Sequence, residues 1–149
     1  MDFAKFNSMV DLDALKADVQ KASDGNFEKM EVPHGTYEVK IEKLELVESK
    51  AGKPMLSAWF RILTGDFEKQ MIFMNQVITQ GFQIHICNGF LRSLDTGVDV
   101  HFDDFVQYND IIMDVAEKIN ILGLEYALEY GESKGYNTFK ITEVFETNN

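Results

Sequence analysis

The chain has 149 residues and a mass of 17.1 kDa, which suits a single domain with short appendages. A chain of this length can bury enough surface to fold without disulfides or a structural metal, and its hydrophobic fraction of 45% is typical of a globular protein. Cys87 is the only cysteine, which excludes an internal disulfide and any metal site built from several thiolates. A single thiol also fits a reducing compartment.

The net charge of −11 is concentrated in the last third of the chain. Residues 99–149 carry three lysines against eleven carboxylates, whereas residues 35–98 are balanced and hold seven of the fourteen basic residues. An acidic protein is not an obvious nucleic-acid binder, so the distribution of charge matters more than its total. The uncharged stretch 70–91 contains many polar side chains, and no membrane span is expected there.

The first predicted element is an N-terminal helix that begins near Ser8, where a hydroxyl precedes Asp11 by three residues as in a helix cap. Apolar residues then recur at helical spacing, at Leu12, Leu15, Val19 and Ala22. A linker is predicted from Ser23 to Pro33. Residues 1–32 are therefore predicted to form an appendage that either docks on the domain or binds a partner.

A long strand is predicted to open at Gly35, with apolar residues alternating with charged ones. The apolar parity flips at Lys43, which indicates a β-bulge and a bent strand. A turn is predicted at residues 50–54, because it contains glycine and proline. The second and third strands are predicted near residues 55–63 and 70–78.

Two helices are predicted after the third strand, over residues 81–94 and 103–119. The expected buried stripes are Phe82, Ile86, Phe90 and Leu94 in the first helix and Phe105, Ile112, Val115 and Ile119 in the second. Asp103 and Asp104 are expected in the first turn of the second helix, where carboxylates complement the helix dipole.

A closing hairpin is predicted last, with strands near residues 125–130 and 136–145 and a turn at 132–135. A bent first strand, a three-stranded meander, helices and a closing hairpin are typical of the OB-fold, a five-stranded Greek-key barrel. The predicted domain covers residues 33–149, with a helical insertion at about 80–120 and an extra N-terminal helix. OB-folds bind oligonucleotides or oligosaccharides.

Several short motifs of these strands and turns are similar to those of a known family. They are Gly35-Thr36-Tyr37-Glu38-Val39-Lys40-Ile41, Ser49-Lys50-Ala51-Gly52-Lys53-Pro54-Met55-Leu56, Trp59-Phe60-Arg61-Ile62, Gly135-Tyr136 and Phe139-Lys140-Ile141. From about Pro33 to Glu146 the chain resembles bacteriophage and prophage proteins of Gram-positive hosts that are associated with recombination and replication genes. The resemblance implies a sequence-independent single-stranded-DNA-binding protein of OB type, in the cytoplasm of the bacterial host, with phage recombination or replication proteins as partners.

The residues expected to bind DNA are aromatic rings and cations on strands and turns. Ser57, Trp59 and Arg61 share one side of the second strand. Because Arg61 is costly to bury unpaired, the only tryptophan is expected to face outward, where a base can stack on it. Phosphates need several cations along one groove. The expected binding residues are Trp59, Arg61, Lys40, Lys50, Lys53, Phe73, Lys134, Tyr136 and Lys140.

Other interpretations stay open at this point. Trp59 could cover a helix or a subunit interface, Phe73 could face the core, and the strand lysines could pair with interleaved glutamates. A rival function is a protein-interaction adaptor that uses the acidic helices, and a homo-oligomer is compatible with either function. A metal-dependent nuclease built on the acidic cluster near His101 is a weaker rival. Neither a catalytic motif nor zinc spacing occurs, so no enzyme, cofactor or metal is expected.

Overall fold

The structure, a computed structural model, describes residues 4–7, 11–16 and 32–147. The chain divides into two compact units, Met1–Pro33 and His34–Asn149. The larger unit contains a five-stranded sheet and two long helices, and its buried apolar side chains form a core of its own.

In the smaller unit, α1 covers Ala4–Asn7 and residues 12–16 are also helical. Asp11 caps this second stretch, because its carboxylate accepts hydrogen bonds from the backbone N–H groups of Asp13 and Ala14 at 3.1 and 3.2 Å. The predicted cap at Ser8 lies outside the described residues, as do Val19, Ala22 and most of the predicted linker.

The larger unit is mainly β, with all strand pairs antiparallel in one sheet of order β3-β2-β1-β4-β5. The strands are β1 (Gly35–Glu48), β2 (Pro54–Ile62), β3 (Met71–Val77), β4 (Leu124–Ser133) and β5 (Tyr136–Glu146). The five predicted strands and their order along the chain are confirmed. Within residues 32–147, β3 and β5 are the two edges, so hydrogen bonds do not close the sheet into the predicted barrel.

The bulge predicted in β1 is confirmed. Ile41 pairs with Phe60 and Lys43 pairs with Trp59, which leaves Glu42 as the extra residue. A regular strand would have placed Glu42 opposite Trp59 and turned Lys43 toward the core. The bulge therefore keeps Glu42 on the outward side of the sheet and brings Lys43 to that side as well.

The turn between β4 and β5 consists of Lys134 and Gly135, with φ angles of 53° and 82°. Two successive residues in the left-handed region form the type I′ turn that suits a two-residue hairpin. Glycine adopts this conformation without strain, which explains its place in the predicted turn.

The first long helix, α2, covers Gly81–Ser93 and contacts both edge strands, β3 and β5. The helix therefore lies against both of the strands whose outer edges are unpaired in the sheet. The predicted stripe of this helix is wrong at Phe82 and Ile86, which are exposed. The residues that face the core at helical spacing are Cys87, Phe90, Leu91 and Leu94.

The second long helix, α3, covers Phe105–Leu122 and packs against β1. Asp104 is its N-cap rather than a first-turn residue, since its Oδ1 accepts a hydrogen bond from the Gln107 backbone N–H at 2.8 Å. Asp103 precedes the cap, so the predicted helix begins two residues too early. The predicted stripe is wrong at Phe105, which is exposed. The core side consists of Tyr108, Ile111, Ile112, Val115 and Ile119.

None of the described helices has the length and apolarity that crossing a bilayer requires.

An aromatic row passes through the core and joins four elements. The fully buried ring of Phe60 on β2 lies 6.0 Å from Phe90 of α2 and 6.1 Å from Phe139 of β5, between ring centroids. Phe139 in turn stacks on Tyr130 of β4 at 5.5 Å. Since β2 and β5 are not neighbours in the sheet, this contact shows that the sheet curls strongly toward its own inner side.

Candidate functional site

Strand β2 separates the core from a mixed polar and aromatic surface. Its inward side chains are buried, namely Leu56, Ala58, Phe60 and Ile62. Trp59 and Arg61 lie on the other side and are half-buried, as the alternation of the sequence predicts. Ser57 shares this outward side but is itself buried. Trp59 is therefore not part of the hydrophobic core.

Three side chains form a row across the outward side of β1, β2 and β3. Lys43 lies opposite Trp59, and Trp59 lies opposite Phe73. Phe73 is 52% exposed, while Ile72 and Met74 on either side of it are buried, so the open question about β3 is settled in favour of an outward Phe73. The row Lys43, Trp59 and Phe73 is the centre of what we name the Trp59 face.

The two rings of the Trp59 face contact each other edge to face, with centroids 5.6 Å apart and planes at 85°. The ammonium Nζ of Lys43 lies 4.4 Å from the centroid of the Trp59 ring, in a cation–π contact. The same Nζ lies 2.9 Å from Glu45 Oε1. The sequence offered Lys43 only as one of several strand and turn lysines that could meet phosphate, because its position opposite Trp59 depends on the pairing register set by the bulge.

Arg61 is held in a two-pronged ion pair on this surface. Its Nε and Nη2 donate to the two carboxylate oxygens of Glu42 at 2.8 and 2.9 Å. Its Nη1 donates to the backbone carbonyl of Lys69, just before β3. The guanidinium therefore connects β1, β2 and the segment leading into β3. Arg61 was predicted to bind phosphate, and in the structure its charge is compensated by Glu42.

The hydrogen bonds from Arg61 lower the pKa of Glu42 below its ordinary value of 4.5. A lowered folded-state pKa stabilises the fold above that ordinary value, and the stabilisation is lost as the pH falls through the lowered pKa. We therefore expect Glu42→Gln to lower the melting temperature at pH 7 and to have a vanishing effect at strongly acidic pH. Thermal unfolding across a pH series measures this difference.

The matched control is Glu48→Gln, the same change on the same strand at a side chain that forms no ion pair among the described residues. Its effect should be small at every pH. A melting difference for Glu42→Gln that stays constant from neutral to acidic pH would contradict the assignment of a functioning ion pair.

The remaining predicted cations lie in two separate regions. Lys50 and Lys53 are exposed in the β1–β2 turn, and Lys40 is exposed on β1 opposite Arg61. In the part of the chain that the structure describes, neither turn lysine forms an ion pair. Lys40 therefore lies on the side of the sheet that carries Trp59, and the two turn lysines are exposed to an anion just beyond the end of β1.

The predicted hairpin residues Lys134, Tyr136 and Lys140 are exposed at the opposite end of β1. Because Gly35 pairs with Tyr130, the tip of the β4–β5 hairpin extends beyond the start of β1, whereas the β1–β2 turn follows its end. At about 3.3 Å per residue, the 14 residues of β1 separate the two turns by roughly 40 Å along the strand. The structure does not bring the hairpin cations together with the turn lysines.

An open groove of about 570 Å³ lies between the start of β1, the β2–β3 turn, Ala127 of β4 and the last part of β5. Its lining includes the carboxylates of Glu38, Asp66 and Glu143 and no basic side chain. A groove with this charge repels phosphate, so it does not extend the Trp59 face as a nucleic-acid surface.

Two other groups are relevant to chemistry. Cys87 is buried, and burial raises the pKa of its thiol to about 12, which leaves little nucleophilic thiolate at neutral pH.

His101 lies between two carboxylates, with Nδ1 3.6 Å from Asp99 and Nε2 3.3 Å from Asp103. Among the described residues, no group of three or more His, Cys, Asp or Glu side chains could hold a metal ion.

A search of the curated proteins finds no match to this chain. One family profile matches residues 16–107, which is more than half of the chain and includes β1, β2, β3 and α2 with the whole Trp59 face. The description of that family assigns no activity. On this match, the chain belongs to the family described as protein of unknown function DUF669.

Proposed function

We propose that this protein binds single-stranded DNA without sequence specificity, by stacking bases on the Trp59 face and contacting phosphates with nearby lysines. The observation that carries the proposal is the pair of contacting rings, Trp59 and Phe73, on the outward side of adjacent strands. Every base has a face that can stack on an aromatic ring, so such a surface is tolerant of sequence. The proposed activity is binding, without a catalytic step.

The geometry of the two rings favours a single strand over a duplex. Their planes are at 85° and their centroids are 5.6 Å apart, whereas stacked bases are parallel and follow one another at about 3.4 Å. Two neighbouring bases can use both rings only if they are unstacked from each other. A duplex would have to be opened first, at a cost in stacking and pairing energy.

The strand order supports an OB-type architecture within this proposal. Opening a five-stranded Greek-key barrel between its third and fifth strands gives the order β3-β2-β1-β4-β5. The contact between Phe60 of β2 and Phe139 of β5 fits a sheet curled in the same sense. OB-folds bind oligonucleotides on their second and third strands, which here carry Trp59 and Phe73.

The resemblance to bacteriophage and prophage proteins supports a role in replication or recombination in the cytoplasm of a bacterial host, with phage recombination or replication proteins as partners.

A second function, a protein-interaction adaptor, has its own support on α3. Val106 and Met113 are 78% and 58% exposed there, and the same helix carries Asp110, Asp114 and Glu117. Such a surface suits a protein partner and repels DNA.

Titration of fluorescently labelled oligo-dT and of a duplex of equal length, over a range of salt concentrations, tests the proposal. We expect the single strand to bind well above the duplex and to weaken as salt rises. With about 3–5 phosphate contacts, the slope of log affinity against log salt should be roughly −2 to −4. Equal affinity for the duplex would contradict single-strand binding, and no binding to either DNA would favour the adaptor.

A further inference from the structure

We infer that Lys43 is a phosphate-binding residue of the Trp59 face, whose ammonium rests on the Trp59 ring in the free protein and moves to a phosphate when a base stacks there. This inference rests on the proposed function. It gives Lys43, one of several candidate lysines in the sequence, a specific place beside Trp59, and it explains what covers the Trp59 ring in the free protein.

Lys43 is placed so that its ammonium can rest on the Trp59 ring in the free protein and bind a phosphate in the complex. Its ammonium is 4.4 Å from the Trp59 ring centroid and 2.9 Å from Glu45 Oε1. The Lys43 and Glu45 side chains are 38% and 42% exposed, so water weakens both contacts. A phosphate accepts strong charge-assisted hydrogen bonds from an ammonium, and a base on the indole would occupy the site that the ammonium leaves.

A base can stack on Phe73 before the Lys43 ammonium leaves the Trp59 ring. The Phe73 ring contacts Trp59 edge to face, and among the described residues no cation lies over the Phe73 ring. A base can therefore stack on Phe73 without displacing a protein group. The next nucleotide then lies beside Trp59. Its phosphate can bind the Lys43 ammonium, and its base can take the place of that ammonium on the Trp59 ring. Because the three side chains are in one cross-strand row, a single DNA strand that crosses β3, β2 and β1 meets Phe73 first, then Trp59 and then Lys43.

Lys43→Met tests this inference, because it keeps most of the aliphatic stem and removes the charge. If Lys43 contacts one phosphate, the variant should bind oligo-dT about 3–10-fold more weakly at low salt, and the magnitude of its salt slope should fall by about 0.7. The matched control is Lys118→Met, the same change at an exposed position on α3, which should alter neither quantity. Unchanged or tighter binding of Lys43→Met with an unchanged slope would overturn the inference.

A second readout does not depend on DNA. Trp59 is the only tryptophan, so the intrinsic emission of the free protein reports the contact with Lys43 directly. Lys43→Met should change the intensity or wavelength of this emission, whereas Lys118→Met should not. Unchanged emission in Lys43→Met would overturn the resting contact. Failure of the wild-type protein to bind oligo-dT would instead overturn the proposed function, and the phosphate role with it, whatever the emission shows.

Discussion

Trp59→Ala should weaken the binding of oligo-dT by about 1–3 kcal/mol, the scale of one base–aromatic stack. The ring lies on the outward side of β2 between Lys43 and Phe73, where it can take a base without disturbing the core. Titration of labelled oligo-dT by fluorescence anisotropy measures the loss. In the wild-type protein, addition of oligo-dT should quench the emission of Trp59 in a saturable way that salt reverses.

Two variants complete this experiment. Phe73→Ala should weaken binding on the same scale, because Phe73 is the second ring of the Trp59 face. Phe82→Ala removes an equally large exposed ring on α2 and should leave the affinity unchanged.

Thermal unfolding of Trp59→Ala should stay close to that of the wild type. A large loss of stability with unchanged affinity would mean that Trp59 serves the fold rather than the ligand.

Phe60→Ala should lower the free energy of unfolding by about 3–5 kcal/mol, the usual range for removing a fully buried aromatic side chain. Phe60 has 0% exposure and contacts both Phe90 of α2 and Phe139 of β5. Its loss leaves a cavity at the place where the curled sheet meets the helix, and the remaining rings cannot fill that cavity without moving the backbone. Urea denaturation followed by circular dichroism measures the change.

The matched control for Phe60→Ala is Phe73→Ala, the same substitution on the adjacent strand at a ring that is half exposed. It should destabilise the fold far less. If Phe60→Ala cost less than about 1 kcal/mol, the site would collapse readily, and the aromatic row would not be what keeps β5 against the inner side of β2.

The strands could be predicted from the sequence because their signal is local. Alternation along β1 and β2 identifies which side chains share a side, and the parity flip at Lys43 locates the bulge without knowledge of any other strand. Arg61 alone was enough to place Trp59 on the outward side, since an unpaired guanidinium is costly to bury. The turn at Lys134 and Gly135 likewise needed only its own residues.

The helix stripes and the site contacts could not be predicted in the same way. Apolar residues surround more than one side of α2, so the choice between Ile86 and Cys87 depends on where β3 and β5 lie. The pairing of Arg61 with Glu42 depends on the register between β1 and β2, which a single strand does not encode. The contacts of Lys43 and Phe73 with Trp59 require that register across three strands.

The inaccessibility of Cys87 makes site-specific labelling of this protein simple. Its thiol is buried, and it is the only cysteine of the chain, so a maleimide should leave the native protein unmodified. A cysteine introduced at an exposed position next to the Trp59 face, such as Asn75→Cys on β3, would be the one reactive thiol. A fluorophore or spin label attached there could follow the approach of a ligand without removal of any native residue from the core.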